Sequence, residues 1–405
     1  MQSDKKTMKI AQLIPQFYPR IGGAEICIHN VCKALSENGH EAVVITSTAP
    51  PENPPVLPYQ IEYLWPKTCG LFRRLPHVVG NTYLRYSLAR LQRKHNFDLW
   101  QVTNGWPLGV FAVDFFKKNN IPCVLRCCGE DIQTFPQINY GVRLNKSVDR
   151  LIKEKFPLFD AFVSLTPSVK EEYFKLGIPD EKIRIIPNGT DTAKFAKLSD
   201  EKRSDIRKKI GVVKLDSPLI LTVGRYHPKK GFDSIPHIAK SLKERGIDFN
   251  WIIAGRNVCE IRRKYPYSES VGIFFLEKFA TTGGQEVFNL PSQELIDIYC
   301  ASDIFALPTL IETFGMVLVE AMAAGLPIIT TDAPGVRDVI NDGAEGFKVE
   351  AGNSDKFAEK LAVVIKDERT AEKFSAQSRA SSKAYDWKIV AQKYLDFYQD
   401  LKNKT

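Results

Sequence analysis

Short apolar segments alternate with segments of helical periodicity along most of the chain, and this alternation constrains the fold more than any other feature. In the first half, an apolar run from Met8 to Ile14 leads into a glycine-containing loop. Apolar residues at helical spacing follow, and then the second apolar run EAVVIT. Strand, glycine loop, helix and strand in that order form the parallel βαβ unit. The pattern therefore predicts an α/β chain with parallel sheets.

The alternation stops once and then starts again. A charged stretch without strand character runs from Lys194 to Lys214. Beyond it, strand-like and helix-like segments alternate as PLILTVG, FDSIPHIAKSLKERG, FNWIIAG, SQELIDIYCASD, IFALPT, GMVLVEAMAAG and PIITTD. We predict two Rossmann-like, doubly wound domains, residues 1–200 and 210–385, facing each other across a cleft, followed by a C-terminal helix over 386–405.

Composition limits the partners and the compartment. The formal net charge of +9 favours an anionic partner, either a phosphate-bearing ligand or an acidic membrane, although a generally basic surface accounts for it equally well. The eight cysteines show no CxxC pair, which predicts a reducing compartment, no disulfide framework and no zinc site. Neither a signal peptide nor a membrane-spanning stretch is recognisable. We expect a cytoplasmic protein, with peripheral membrane contact left open and no nucleic-acid partner.

The segment ETFGMVLVEAMAAGLP carries the strongest chemical signal. Glu312 follows a predicted strand, a helix is expected to begin near Phe314, and Glu320 lies eight residues after Glu312, about 12 Å along a helix axis. A helix N-terminus exposes unpaired N–H groups that can hold a diphosphate. Two carboxylates on either side of such a site suit a nucleotide-sugar. Glu320 lies in an apolar helix, where an ionised carboxylate needs partners.

The segment TVGRYHPKKG carries the second signal. Gly224 and Arg225 end a predicted strand, and Lys230 precedes Gly231 at an expected helix start. Because the carboxyl ends of parallel strands face the ligand crevice, Arg225 and Lys230 are candidates to neutralise a diphosphate leaving group. A basic surface turn is the alternative.

Three segments of the first half are weaker candidates. Gly22 and Gly23 permit a close approach of backbone to phosphate. The sequence IPNGTD, with Asn188, Gly189 and Asp191, is first of all a turn signal. In LRCCGEDI, Arg126, Glu130 and Asp131 follow a predicted strand and are expected to face the ligand crevice, where either acid would orient a hydroxyl. A solvated loop acid is the alternative.

Taken in order along the chain, these motifs resemble the retaining glycosyltransferases of family 4, which have the GT-B fold. The resemblance implies that Glu320 binds the ribose hydroxyls and that Glu312 contacts the donor hexose. It implies that Arg225 and Lys230 bind the diphosphate and that Gly23 approaches the distal phosphate. It further implies a donor-binding role for Gly22, Asn188, Gly224, Phe314, Gly315, Met316 and Val317, and a C-terminal helix that packs on the first domain.

The resemblance is incomplete in the first domain. Many relatives carry a histidine before a Gly-x-Asp; here Arg126 and its neighbours occupy that place, and Asp131 matches the aspartate. We take Glu312, Asp131 and Arg126 as the catalytic candidates. The chain also has no Asp-x-Asp, the usual pattern of metal-dependent transferases, so we expect neither a metal nor another cofactor. The segment 276–291 is a lid or a nucleotide-edge loop.

The expected reaction moves a sugar from a nucleoside-diphosphate sugar, a UDP-sugar by default, to a hydroxyl of a glycan, a lipid-linked or a small-molecule acceptor. Retention of configuration follows from the resemblance alone. Alternatives are an epimerase or phosphorylase on the same architecture, and a non-catalytic nucleotide-sugar sensor. An oxidoreductase is disfavoured because no GxGxxG follows the first strand of either half. The basic stretch LFRRLPHVVGNTYLRYSLARLQRKHN is either a membrane-facing helix or an ordinary helix with a solvated face.

Overall fold

The computed structural model describes residues 7–19, 21–64, 77–212, 214–277, 288 and 290–404. The chain divides into two compact units. The first contains the residues up to Asn188, Phe288 and Leu290, and the chain from Trp387 onward. The second contains Gly189–Thr281 and Pro291–Asp386. The boundary between the units lies after Asn188, whereas the composition of the chain predicted that the first domain ends at residue 200. The difference arises because the charged segment that follows Asn188 folds with the second unit.

The first unit is built on a parallel sheet of seven strands. The strands are β1 Lys9–Ile14, β2 Glu41–Thr46, β3 Gln60–Tyr63, β4 Leu99–Thr103, β5 Cys123–Arg126, β6 Ala161–Ser164 and β7 Ile183–Ile185. Their spatial order is β3-β2-β1-β4-β5-β6-β7, so the order reverses between β1 and β4. Most inner strands are buried along their whole length, which explains their continuous apolar sequences.

The helices of the first unit pack on this sheet. They are α1 Gly23–Glu37, α2 His77–His95, α3 Val110–Lys118, α4 Lys146–Lys155 and α5 Pro167–Phe174. Helix α1 buries its apolar residues at helical spacing, from Ile26 to Leu35. Helix α3 begins at Val110, directly after a short turn over Gly105–Gly109.

The second unit is built on a parallel sheet of six strands. They are β8 Leu219–Val223, β9 Asn250–Ala254, β10 Ile273–Leu276, β11 Ile304–Leu307, β12 Ile328–Thr331 and β13 Gly346–Val349, in the order β10-β9-β8-β11-β12-β13. Its helices are α6 Asp200–Lys209, α7 Ile235–Glu244, α8 Cys259–Lys264, α9 Gln293–Ala301, α10 Met316–Ala324, α11 Ser354–Lys366 and α12 Glu368–Ser382. Both units are thus Rossmann-like, as the sequence predicted.

Trp387–Lys404 forms the last helix, α13, and belongs to the first unit. Its Tyr398 is buried and hydrogen-bonds Gln12 and Gln101 of the sheet, at 2.9 and 2.8 Å. Phe288 also packs in the first unit, with its ring 4.2 Å from that of His29. Most of the expected lid or nucleotide-edge loop at 276–291 lies outside the described residues. Within the described ranges, no helix has the length and apolar character needed to cross a membrane.

Candidate functional site

The strand order of the second unit reverses between β8 and β11, which are paired neighbours. In open parallel sheets, ligands bind beyond the carboxyl ends of the strands at such a switch point. The two segments leaving these ends are Gly224–Gly231 and Pro308–Gly315. These segments are the two that the sequence singled out, so the topology brings both motifs to one place.

The turn after β8 lies directly against the turn after β11. Gly231 has φ of 65°, and a Cβ at this position would be 1.9 Å from the carbonyl oxygen of Pro308, so only glycine fits. The amide of Leu310 and the hydroxyl of Thr309 both donate to the carbonyl of Lys229 at 2.8 Å. Lys230 was expected at a helix start; instead it ends a short 3₁₀ turn, Pro228–Lys230, and α7 begins only at Ile235. These contacts between the two turns fix the positions of Lys229 and Lys230.

Glu312 lies between two lysines. Its carboxylate forms an ion pair with Lys230 through Oε1, and the Nζ of Lys229 lies 3.6 Å from Oε2. Glu312 is only 5% exposed. Burial opposes its ionisation, but the charges and hydrogen bonds of Lys229 and Lys230 outweigh that effect and lower the pKa of Glu312 to about 2. The side chain is therefore an ionised hydrogen-bond acceptor at neutral pH.

The backbone of Glu312 is fixed from the other side by the segment after β12. Its amide donates to the carbonyl of Pro334 at 3.0 Å. Gly335 has φ of 87°, and a Cβ there would come within 2.1 Å of the carbonyl oxygen of Glu312. The segments after three strands thus meet at Glu312, two of them at its backbone or within its own turn and one, with the lysines, at its carboxylate.

Helix α10 begins at Met316, two residues later than expected, with Gly315 as its N-cap. Gly315 has no side chain to satisfy the first amides of the helix, and Met316 and Val317 are half-buried. The first turn therefore offers N–H groups and the positive end of the helix dipole. Phe314 differs from these residues because its side chain is buried against Tyr385, with ring centroids 5.7 Å apart.

Glu320 lies on the second turn of α10 and is 8% exposed. Its Oε2 accepts a hydrogen bond of 2.8 Å from the hydroxyl of Tyr299 on α9. Burial raises the pKa of Glu320 to about 7, against the opposing effects of the Tyr299 hydrogen bond and the Lys230 charge. The two glutamates of one motif thus differ in ionisation because only Glu312 has cations in direct contact.

Gly224 and Arg225 follow β8, as the sequence predicted. The amide of Gly224 continues the strand pairing by donating a hydrogen bond of 2.9 Å to the carbonyl oxygen of Ala254. Arg225 is exposed. It differs in this from Lys230, whose side chain is only 15% exposed. Of the two predicted diphosphate ligands, Lys230 is fixed in the free protein and Arg225 extends into solvent.

In the first unit, Gly22 and Gly23 stand at the N-terminus of α1, beyond the carboxyl end of β1. The amide of Gly22 donates to Oε2 of Glu25 at 2.9 Å. Burial raises the pKa of Glu25, although hydrogen bonds from the backbone and the charge of Arg126 oppose that rise. A carboxylate of the protein therefore already uses one amide of the expected phosphate loop.

Arg126 was expected to face the ligand crevice; the structure instead encloses it completely, with 0% exposure. Its guanidinium donates to Tyr394 at 3.1 Å and to Asn188 Oδ1 at 2.6 Å, and one nitrogen lies 2.9 Å from Cys128 Sγ. Arg126 thus joins the end of β5 to α13 and to Asn188, the residue at which the chain leaves the first unit. Asn188 was predicted to contact the nucleotide-sugar; in the structure its side-chain oxygen accepts a hydrogen bond from Arg126.

Asp131 is also nearly enclosed, at 6% exposure. One oxygen accepts from the amides of Cys128 and Gly129, both at 2.9 Å, and the other accepts from the amide of Gly105 at 2.7 Å. Its carboxylate therefore holds the loop after β5 against the loop after β4. The neighbouring Glu130 is exposed, as the alternative of a solvated loop acid predicted.

Two residues of the second-unit site were not predicted. Lys229 belongs to the segment TVGRYHPKKG, and its position next to Lys230 could have identified it as a site residue. Tyr299 is 21 residues from Glu320 in the sequence. A tyrosine on the buried face of an amphipathic helix gives no sign in the sequence that its hydroxyl meets a buried acid. In the described part of the chain, no group of three or more His, Cys, Asp or Glu side chains is arranged to hold a metal ion.

Two family models match the chain one after the other. The model described as Glycosyltransferase Family 4 matches residues 21–194. The model described as Glycosyl transferases group 1 matches residues 203–381 and so includes the whole Glu312–Glu320 motif.

Individual proteins agree with this result. The chain is 25% identical over 401 residues to N-acetyl-alpha-D-glucosaminyl L-malate synthase of Bacillus anthracis, covering 95% of this chain and 97% of that protein. It is 31% identical over 181 residues to phosphatidyl-myo-inositol mannosyltransferase of Mycobacterium leprae (strain TN), but spans only 46% of that relative. The fold matches the crystal structure of Anabaena Alr3699/HepE in complex with UDP with a TM-score of 0.73 and 20% identity, covering 97% of this chain and 100% of that one.

Proposed function

Since the chain belongs to the group 1, family 4 glycosyltransferases of GT-B fold, we propose that it transfers a hexose from a nucleoside-diphosphate sugar to a hydroxyl acceptor with retention of configuration and without a metal ion. The ion pair of Lys230 and Glu312 at the switch point, beside the uncapped start of α10, carries this proposal. It combines a cation for a diphosphate, N–H groups for its oxygens and an ionised acceptor for sugar hydroxyls.

The second unit is the proposed donor domain. Lys230 holds the diphosphate as a fixed point charge, the exposed Arg225 joins it, and the first amides of α10 donate to the phosphate and the sugar. Glu320 lies one turn further along the helix and accepts from the ribose hydroxyls. A UDP-sugar is the proposed donor, supported by the UDP in the HepE crystal structure.

Glu312 is proposed to orient the hexose and not to act as a nucleophile. With a pKa of about 2 it is a weak base, and both of its oxygens face lysines. Such a carboxylate suits accepting hydrogen bonds from hydroxyls and stabilising positive charge that develops on the sugar. As the leaving diphosphate gains charge, Lys230 stabilises it, which is the electrostatic work that a metal performs in other transferases.

The first unit is the proposed acceptor domain. Because Arg126 and Asp131 are enclosed and hydrogen-bonded, we assign them to positioning: Arg126 fixes α13 and Asn188, and Asp131 fixes the loops after β4 and β5. Gly22 and Gly23, at the switch point between β1 and β4, remain the proposed backbone contacts to the donor phosphate.

A lipid-linked acceptor at an anionic membrane is proposed on the strength of helix α2. Its buried side carries Leu84, Leu88 and Leu91. Its exposed side carries Arg90, Arg93 and Tyr86, the last of which is 64% exposed. Cations flanking an exposed aromatic ring suit an anionic bilayer surface. At low salt the wild type should co-sediment with vesicles that contain anionic lipid, and the double variant Arg90→Glu/Arg93→Glu should stay in the supernatant. Equal binding of both proteins would end this proposal.

The reaction is tested by incubating the protein and EDTA with UDP-hexoses and a library of hydroxyl acceptors that includes polyprenyl-linked glycans and free glycans. Release of UDP that depends on acceptor, with the anomeric configuration of the product determined by NMR, supports retaining transfer. Epimerised donor formed without acceptor would favour an epimerase instead. Glu312→Gln should lower kcat at least about 100-fold, whereas Glu372→Gln, on the exposed surface of α12, should leave it unchanged.

A further inference from the structure

We infer that Tyr299 is a positioning residue that orients Glu320 for the nucleotide and favours its carboxylate form, an inference that rests on the function proposed above. The hydroxyl lies 2.8 Å from Oε2 of Glu320 and 3.5 Å from the carbonyl oxygen of Val317 on the same helix. No solvent reaches Tyr299, and Glu320 is 8% exposed. The pair is therefore a buried contact between α9 and α10 at the proposed ribose site.

The tyrosine ring is held on two sides. It stacks on Phe305 of β11 with centroids 5.8 Å apart, and Phe195 meets it edge-on at 5.9 Å. Packing against these two rings leaves the hydroxyl of Tyr299 little freedom to move. Replacing Tyr299 by Phe would keep the ring packing and remove one hydrogen bond only.

The charge on Glu320 depends on few neighbours. Helix α9 supplies the Tyr299 hydroxyl, and the turn after β8 supplies the charge of Lys230. Arg379 of α12, which also packs on α10, donates to the carbonyls of Ala323 and Ala324 at the far end of the helix. The turn Thr192–Lys194 carries Lys194 in an ion pair with Asp191. The direct donor to the carboxylate among these groups is the tyrosine.

The hydrogen bond runs in one direction. Burial and the charge of Glu320 raise the pKa of Tyr299 well above its ordinary value, so the phenol keeps its proton and donates to the acid. A donated hydrogen bond stabilises the carboxylate over the carboxylic acid. A carboxylate accepts from both ribose hydroxyls, whereas the protonated acid gives up part of that capacity. Tyr299 thus acts on the nucleotide through Glu320, without contact of its own.

The test compares the dissociation constant for UDP of wild type and Tyr299→Phe between pH 6 and pH 9. The ratio of the two constants removes the titration of UDP itself. A hydrogen bond to a charged group corresponds to at least about one pKa unit. The variant should therefore bind about tenfold more weakly at pH 6, about fivefold at pH 7, and nearly as well as wild type at pH 9. A weakening that is constant across this range would overturn the inference.

Two variants separate this effect from lost stability. Tyr398→Phe removes another buried hydroxyl, one that bonds Gln12 and Gln101 in the first unit, and its binding ratio should not change with pH. In a Glu320→Gln background, adding Tyr299→Phe should produce no pH-dependent change either.

A second readout needs no nucleotide. With glutamate labelled at the side-chain carboxyl carbon, and with Glu320→Gln to assign its signal, NMR should show the midpoint of Glu320 moving up by about one pH unit in Tyr299→Phe. An unchanged midpoint would contradict the role given to Tyr299. If UDP fails to bind while the midpoint moves, the proposed function is wrong and the control of Glu320 by Tyr299 stands.

Discussion

The substitution Glu312→Gln tests the electrostatics of the site without changing its shape. The ordinary pKa of a glutamate is 4.5 and that of Glu312 is about 2. At 1.36 kcal/mol for each pKa unit, ionised Glu312 stabilises the fold by roughly 3 kcal/mol. Because the folded pKa is the lower one, this stability is present above pH 4.5 and is lost as the pH falls towards 2. The Gln variant lacks it at every pH.

The free energy of unfolding should be measured in urea at pH 7 and pH 3, with hydrogen exchange of peptides from β11 to β12 reporting on the second unit. We expect Glu312→Gln to cost roughly 3 kcal/mol at pH 7 and roughly 2 kcal/mol less than that at pH 3. Glu372→Gln, on the exposed surface of α12, is the control. An equal cost at both pH values would refute the assignment of an ionised, lysine-paired carboxylate.

Three further outcomes follow from the same contacts. Lys230→Ala should weaken UDP binding at least about tenfold by calorimetry, because the cation at the switch point is lost; unchanged affinity would remove it from the diphosphate site. Gly231→Ala should cost at least about 2 kcal/mol in urea unfolding, whereas Gly246→Ala, with φ of 71° and no atom within 4 Å of the added Cβ, should cost about 1 kcal/mol; equal costs would refute the close approach to Pro308. Arg126→Lys should lower the melting temperature of the first unit by several degrees, because a lysine cannot hold Tyr394 and Asn188 together; an unchanged transition would show that the network is dispensable.

The fold was predictable because parallel strands buried on both faces have continuous apolar sequences. The strands from β8 to β12 other than β10 were all recognised by this signal. The edge strands β3, β10 and β13 were not, because they are short and only partly buried. The charged stretch expected to be a connector contains α6, where Arg203 and Arg207 both pair with Asp303 and dock the helix on the sheet.

The site was predictable where chemistry and sequence position coincide. Glu312 and Lys230 each follow a strand, and adjacent parallel strands bring such residues together. Arg126 and Asp131 also follow a strand, but the pattern does not show whether the protein itself uses a polar side chain. Both side chains form hydrogen bonds to distant segments of the protein: Arg126 to Tyr394, and Asp131 to the amide of Gly105. The role of Tyr299 could not be predicted for the same reason, because its contact with Glu320 depends on how two helices pack.

The donor site is tested most directly by calorimetric titration of wild type and Glu320→Ala with UDP, GDP and ADP, first in EDTA and then with magnesium. We expect one nucleotide, UDP, to bind in EDTA, and Glu320→Ala to lose at least about tenfold in affinity because the ribose hydroxyls lose their acceptor. Binding that requires magnesium would contradict the metal-independent assignment. Absence of binding by all three nucleotides, or equal binding by the variant, would contradict the donor site itself.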